Sequence, residues 1–382
     1  MIPLVDLAAT EAEVIDEALA AVAEVAREGC FVLGERVATF ERWLAKACGT
    51  THAVGVASGT DAIELALRAL DVGAGDAVVT PAFSFVAAAE AIVAAGARPV
   101  FCDVDPRTMN ASADTVREAI AAARAAGLRV RAVVPVHLFG RVAPVEELRR
   151  VAREEGLVVV EDAAQALGGR DGEGRAVGAG ADAACFSFFP TKNLGAWGDA
   201  GAVVTSRDDV ADRVGRLRAH GATSPYVHGM AGRNSRLDAL QAAVLLAKAP
   251  RLARWLEARQ RVAGRYLSEL AGLPLELPHV PAAPARHAWH AFVVRTAGRD
   301  ELALWLRERG VETRVYYPVP LHLQPCFAAF RGGGMAVAER SCREVLALPI
   351  YPALEGERQA DVVAHVRAFF SRVRQPSTIR AE

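Results

Sequence analysis

Residues 156–164 read Gly-Leu-Val-Val-Val-Glu-Asp-Ala-Ala, a short apolar run that ends on two carboxylates. Three valines in succession, with no polar residue between them, suit a strand covered on both faces, as strands are in a parallel sheet. The same texture recurs upstream in AVVTPAF (77–83), RPVFCDV (98–104) and RAVVPV (131–136). Between these runs lie amphipathic stretches at 60–71, 85–95, 112–126 and 144–155. In TDAIELALRALD (60–71), Ile63, Ala66, Leu67 and Leu70 fall on one helical face. Short apolar runs alternating with helices imply parallel strands joined by crossover helices, so about residues 50–205 form an α/β layered domain.

After residue 205 the pattern lengthens. Helices are expected at 207–219, 236–249 and 251–271, with Pro250 separating the last two. The proline-rich LPLELPHVPAAP (273–284) reads as a linker, and HAWHAFVVRT (287–296) alternates like a strand. Further helices are expected at 300–310, 336–347 and 356–373. The division that follows is an N-terminal segment and large domain over 1–250 and a smaller α+β domain over 251–382, with the linker near 273–286.

Composition narrows the function. At 52% hydrophobic residues the 382-residue chain can bury a large core, and a formal net charge of -1 offers no basic footprint for nucleic acid or an anionic membrane. No apolar run approaches the roughly 18 residues of a membrane helix, and Asp6 and Glu11 stand where a basic signal sequence would be, so the cytoplasm is expected. Cys30, Cys48, Cys102, Cys185, Cys326 and Cys342 are scattered singly and read as small buried hydrophobes, with no disulfide framework or metal site among them. Only Lys46, Lys192 and Lys248 are lysines, against 41 arginines among the 44 basic residues. A lysine kept in such a chain raises the question of what its amine does that a guanidinium cannot.

Three segments carry candidate chemistry. Val56-Ala57-Ser58-Gly59-Thr60-Asp61 passes from a strand into a helix start, where unpaired N–H groups suit a phosphate; Ser58 or Thr60 serves equally well as a simple N-cap. Asp162 stands at the carboxyl end of a buried strand, where α/β sheets bind ligands and where a carboxylate can keep a pyridinium nitrogen protonated; capping the next turn is the plain alternative. Gln165, three residues on, is placed to reach a ring oxygen. In Phe186-Ser187-Phe188-Phe189-Pro190-Thr191-Lys192-Asn193-Leu194-Gly195, Lys192 follows an aromatic run, and Ser187 adds a phosphate donor. Partial burial lowers an amine's pKa and suits Schiff-base chemistry. Lys46 and Lys248, within amphipathic helices, read instead as snorkelling surface lysines. Taken together, the three segments suggest a phosphate cradle, a pyridinium partner and a reactive amine.

The runs SGTDAIELAL (58–67), PVFCDVDPRT (99–108), VPVHLFG (134–140), EDAAQALGG (161–169), FSFFPTKNLGAWGDAGAVVT (186–205) and GRNSRLDALQAAVL (232–245) resemble the DegT-like nucleotide-sugar aminotransferases, pyridoxal-phosphate (PLP) enzymes of fold type I. The resemblance extends to about residue 370. It implies a mostly parallel seven-stranded sheet flanked by helices, with Lys192 as the Schiff-base lysine and proton shuttle, Asp162 on the pyridine nitrogen and Gln165 on the ring hydroxyl. It further implies Phe85 stacked on the ring, and Gly59, Thr60 and Ser187 around the phosphate. Asn234 is implied to reach the cofactor of a neighbouring subunit, making a homodimer with a shared active site, and His137 to fix a loop. Tyr317 and His322, in VYYPVPLHLQP (315–325), either contact the sugar or shape the domain junction. That run looks like the branch that aminates C3 of dTDP-linked 3-keto-6-deoxyhexoses, with L-glutamate the expected donor. The alternatives are a C4 enzyme of the perosamine type, an enzyme acting on a UDP-3-keto-hexuronate, and a non-catalytic PLP-binding regulator. Related sugar 3-dehydratases carry histidine where this chain has Lys192.

Overall fold

The computed structural model describes residues 1–354 and 356–373. The end of the expected small domain, 374–382, lies outside the described residues. Three helices come first, α1 (Leu7–Glu11), α2 (Ile15–Glu28) and α3 (Gly34–Cys48). The large unit then alternates β1 (His52–Val56), α4 (Gly59–Ala69), β2 (Asp76–Pro81), α5 (Ala87–Ala94), β3 (Arg98–Cys102), α6 (Ala113–Ala125), β4 (Arg129–Val133), α7 (Val145–Glu155), β5 (Val158–Asp162), β6 (Ala183–Ser187) and β7 (Gly201–Thr205). These make one seven-stranded sheet in the order β1-β7-β6-β5-β4-β2-β3. The pairs from β3 through β2, β4 and β5 to β6 are parallel, while β7 runs antiparallel to both β6 and β1. Val159 and Val160 are buried, as the unbroken valine run requires of a central strand.

The chain continues through α8 (Asp208–Leu217), the small hairpin β8 (Ala222–Ser224) and β9 (Val227–His228), α9 (Ala239–Lys248) and α10 (Leu252–Glu269). It closes with β10 (Phe292–Arg295), α11 (Arg299–Glu308), α12 (Ala336–Glu344), β11 (Val345–Leu348) and α13 (Glu357–Val373). A separate apolar cluster built on Tyr266, Trp289, Phe292, Leu302, Leu346 and Tyr351 holds this last part together.

Four details depart from the sequence expectation. The strand expected over 287–296 is only β10, because Trp289 takes a positive φ of 49° and its ring stacks flat on His287, with 3.8 Å between centroids. The helix expected over 336–347 ends at Glu344, and the apolar run Val345–Leu348 pairs antiparallel with β10. Of the cysteines, Cys30 and Cys326 are exposed and not buried hydrophobes. Lys248 is not a surface lysine: its side chain is 1% exposed, and its Nζ lies 2.5 Å from Glu11 Oε1. The amphipathic pattern of α9 concealed this because a lysine at a helix end is usually solvated.

Behind β5 lies a buried charge network. Glu161 accepts from Arg149 Nη2 at 2.6 Å and from the Gly178 N–H at 3.2 Å, and its Oε2 is 3.2 Å from His137 Nε2. Burial acts to raise the Glu161 pKa, but the hydrogen bond from His137 and the Arg149 guanidinium outweigh it and hold the carboxyl below its ordinary value. His137 Nδ1 accepts the Ala143 N–H at 3.1 Å, so the imidazole joins this network to the turn after β4. Glu161→Ala leaves the Arg149 guanidinium, 6% exposed, without its buried partner. The expected loss is about 3–5 kcal/mol, measured as a fall in the urea midpoint of unfolding.

Candidate active site

Register alone gathers two of the candidate segments. Gly201, the first residue of β7, pairs with Val56 on one side and Ser187 on the other. The turn from β1 into α4 and the end of β6 therefore sit side by side. A Cβ added to Gly59 would lie 2.7 Å from Ser187 Cβ, so only glycine allows this approach. Ser58 caps α4, its Oγ accepting from Asp61 N at 3.1 Å, which realises the capping alternative for that residue. The first backbone bonds of α4 are made by Asp61 and Ala62, so the N–H groups of Gly59 and Thr60 point out of the helix start. Ser187 Oγ, beside them, accepts from Phe189 N at 3.3 Å.

Asp162 ends β5. Its backbone is tied on both sides, N–H to Pro135 O at 2.9 Å and carbonyl to His137 N at 3.0 Å. The carboxylate accepts the Ala164 N–H at 3.1 Å. Burial raises its pKa, opposed by that hydrogen bond and by the positive charge of Lys192. Lys192 sits in the loop between β6 and β7, closed by bonds from Lys192 N to Phe189 O, from Ala196 N to Phe188 O and from Phe188 N to Ala200 O. Part of the residue stays accessible, yet enough protein surrounds the amine that burial lowers its pKa, with Asp162 acting against the shift. The structure thus brings the amine and the carboxylate into mutual electrostatic range.

Above them lies an aromatic and amide layer. Gln165 Oε1 accepts the Phe139 N–H at 2.6 Å, and its Nε2 donates to the Tyr317 hydroxyl at 3.2 Å. The Phe85 ring centroid is 5.9 Å from that of Tyr317, and Phe85 is 52% exposed, an open aromatic face in an otherwise packed region. Two candidates lie elsewhere. His322 is buried with its Nε2 3.2 Å from Glu339, while the neighbouring Leu321 N–H bonds to Ala82 O, contacts that join the 320s turn to the end of β2. Asn234 is exposed, in the segment after the β8–β9 hairpin, with its backbone bridged to Ala219. Its side chain hydrogen-bonds to none of the residues just described.

One residue escaped the sequence reading. His290 lies close enough to feel Lys192: burial first, then the charges of Lys192 and Arg259, push its imidazole pKa well below the ordinary value. Its Nδ1 is buried without a hydrogen-bond partner. The alternating text of 287–296 hid it, since a strand would have turned it to one face of a sheet.

Comparison with known proteins agrees with this arrangement. Residues 13–367 match the model of the DegT/DnrJ/EryC1/StrS aminotransferase family. The chain belongs to that family. It is an aminotransferase whose cofactor is pyridoxal 5′-phosphate. It is 44% identical to the dTDP-3-amino-3,4,6-trideoxy-alpha-D-glucose transaminase of Streptomyces venezuelae, with 98% of this chain and 97% of that one covered. It is 41% identical to a pleiotropic regulatory protein of Geobacillus stearothermophilus, covering 97% and 98% of the two chains. Among solved structures, S. venezuelae DesV in complex with a ketimine intermediate superposes with a TM-score of 0.93 at 44% identity, covering 97% of this chain and 99% of that one. Among the described residues no helix is long and apolar enough to cross a membrane. The side chains fit the family's cofactor: a close approach that Gly59 allows, a carboxylate within electrostatic range of an amine, and a half-exposed phenylalanine beside Tyr317.

Proposed function

We propose that this aminotransferase moves an amino group from L-glutamate to C3 of a dTDP-linked 3-keto-6-deoxyhexose. The observation that carries the chemistry is the buried Lys192 amine held in the field of Asp162. The substrate class rests on the near full-length likeness to the S. venezuelae dTDP-amino-sugar transaminase.

When bound, PLP supplies an aldehyde that captures amines and a ring that draws electron density from the carbon next to the captured nitrogen. The chain's own residues do the rest. Lys192 Nζ would hold the cofactor through its aldehyde and would carry a proton at the donor's α-carbon; the lowering of its pKa by burial favours the neutral form of the amine. Asp162 would keep the ring nitrogen protonated, and the Gln165 amide would orient the ring oxygen. The Phe85 face would support the ring, a contact worth about 0.5–1.5 kcal/mol beyond area burial. The N–H groups of Gly59 and Thr60 and the Ser187 hydroxyl would bind the phosphate. Exposed Asn234 would reach the phosphate held by a second copy, which would make the working unit a homodimer. Tyr317, hydrogen-bonded to Gln165, faces the sugar, while His322 serves the junction with Glu339.

Incubation with L-glutamate and either a 3-keto or a 4-keto dTDP-6-deoxyhexose tests the assignment. The expected product is the 3-amino sugar with one 2-oxoglutarate per amine. Turnover of the 4-keto sugar alone refutes it.

A further inference from the structure

The loop that carries Lys192 is gripped from outside by one face of α9. Gln241 and Lys248 stand seven residues apart, two helical turns, and so point the same way. Gln241 Oε1 accepts the Trp197 N–H at 2.8 Å, and Lys248 Nζ donates to Gly195 O at 2.8 Å. Glu11, at the end of α1, joins both: Oε1 takes Lys248 Nζ at 2.5 Å and Oε2 takes Trp197 Nε1 at 2.6 Å. The ammonium also lies 5.5 Å from the centre of the Trp197 ring. Lys192, Gly195, Lys248 and Glu11 all line one cavity of about 20 Å³.

We propose that Lys248 and Glu11 are positioning residues, a buried ion pair that fixes residues 193–197 and thereby sets where the Lys192 amine stands. The inference rests on the reading of Lys192 as the reactive amine. It also answers why one more lysine survives in a chain that otherwise uses arginine. A compact ammonium fits between a carbonyl, a carboxylate and an indole face, whereas a planar guanidinium needs a wider, flatter site. Gly195 leaves the loop little room to adjust, because a Cβ there would lie 2.2 Å from Pro190 O.

The test uses the full chain without cofactor and has two readouts, the pH midpoint of Lys192 acylation by acetic anhydride and amide exchange across 193–197, both by mass spectrometry. Exposed Lys46 is the internal standard. In Lys248→Met and Glu11→Ala, the Lys192 midpoint is expected to rise by about one pH unit as the loop admits water. Exchange at 193–197 is expected to quicken about tenfold while α6 and β4 keep their protection. Should one of the two variants fail to fold, the other decides alone. An unchanged midpoint and unchanged exchange in a folded variant overturn the proposal. A separate arm adds PLP to the wild-type chain: failure to shield Lys192 from the label refutes the role of Lys192 itself, while the cofactor-free readings of the brace still stand.

Discussion

Lys192→Ala is expected to lower turnover by at least about 10⁴-fold, the largest effect of any single substitution in this chain. The variant removes the only lysine amine that acts on Asp162 among the described residues; Lys46 is exposed in α3, and Lys248 is locked between Glu11 and Gly195. Lys192→Arg is expected to fare no better, because a guanidinium does not give up its proton near neutral pH. Borohydride reduction of the wild-type protein with PLP, followed by peptide mass analysis, should place a pyridoxyl label on residue 192 alone. A label at residue 46 or 248, or retained turnover in the alanine variant, removes the basis of the mechanism. The same substitution has a second signature in the cofactor-free protein. Burial lowers the Lys192 pKa below its ordinary value of 10.5, so the charged form is less favourable in the folded state than in the unfolded one. Between the folded value and 10.5 the unfolded chain binds more protons, and stability rises with pH; below the folded value the full penalty is present. Lys192→Met should therefore stabilise the cofactor-free protein at neutral pH while abolishing its reaction, an opposition that misfolding cannot produce.

The legible parts of this molecule were those where one local pattern had one physical solution. An unbroken valine run followed by acids fixes a central strand and puts Asp162 at its carboxyl end, because a parallel strand presents its last residue to the ligand edge. Lys192 stood out through scarcity, one of three lysines, and through the aromatic run before it. The parts that were missed depend on partners distant in sequence. Lys248 reads as solvated until Glu11, 237 residues away, is folded against it. Val345–Leu348 continues a helical pattern until β10 offers an open edge, and 287–291 alternates like a strand until His287 and Trp289 stack. His290 acquires meaning only from the nearby amine. Helices α2 and α3 went unassigned although Val37, Phe40, Leu44 and Cys48 lie on one buried face, a periodic signal that was available.

Asp162→Asn separates electrostatics from architecture at the same site. Asparagine keeps the size and one acceptor oxygen, so the Ala164 N–H retains its partner, and the backbone bonds to Pro135 and His137 do not involve the side chain. The fold should survive with little change in the urea midpoint, in contrast to Glu161→Ala one residue earlier on the opposite face of β5. What is lost is a negative charge. A neutral amide does not hold a ring nitrogen protonated, and turnover is expected to fall about 10²- to 10³-fold. In the cofactor-free protein the loss is visible on Lys192 directly. Asp162 raises the amine's pKa against the effect of burial, so with that charge gone the acylation midpoint of Lys192 should move further down. This shift is opposite in sign to the one expected when Lys248 or Glu11 is removed, because there the amine gains water and here it loses an anion. Full activity in Asp162→Asn, or a Lys192 midpoint that does not fall, means that the carboxylate at the end of β5 does not act on the reacting centre.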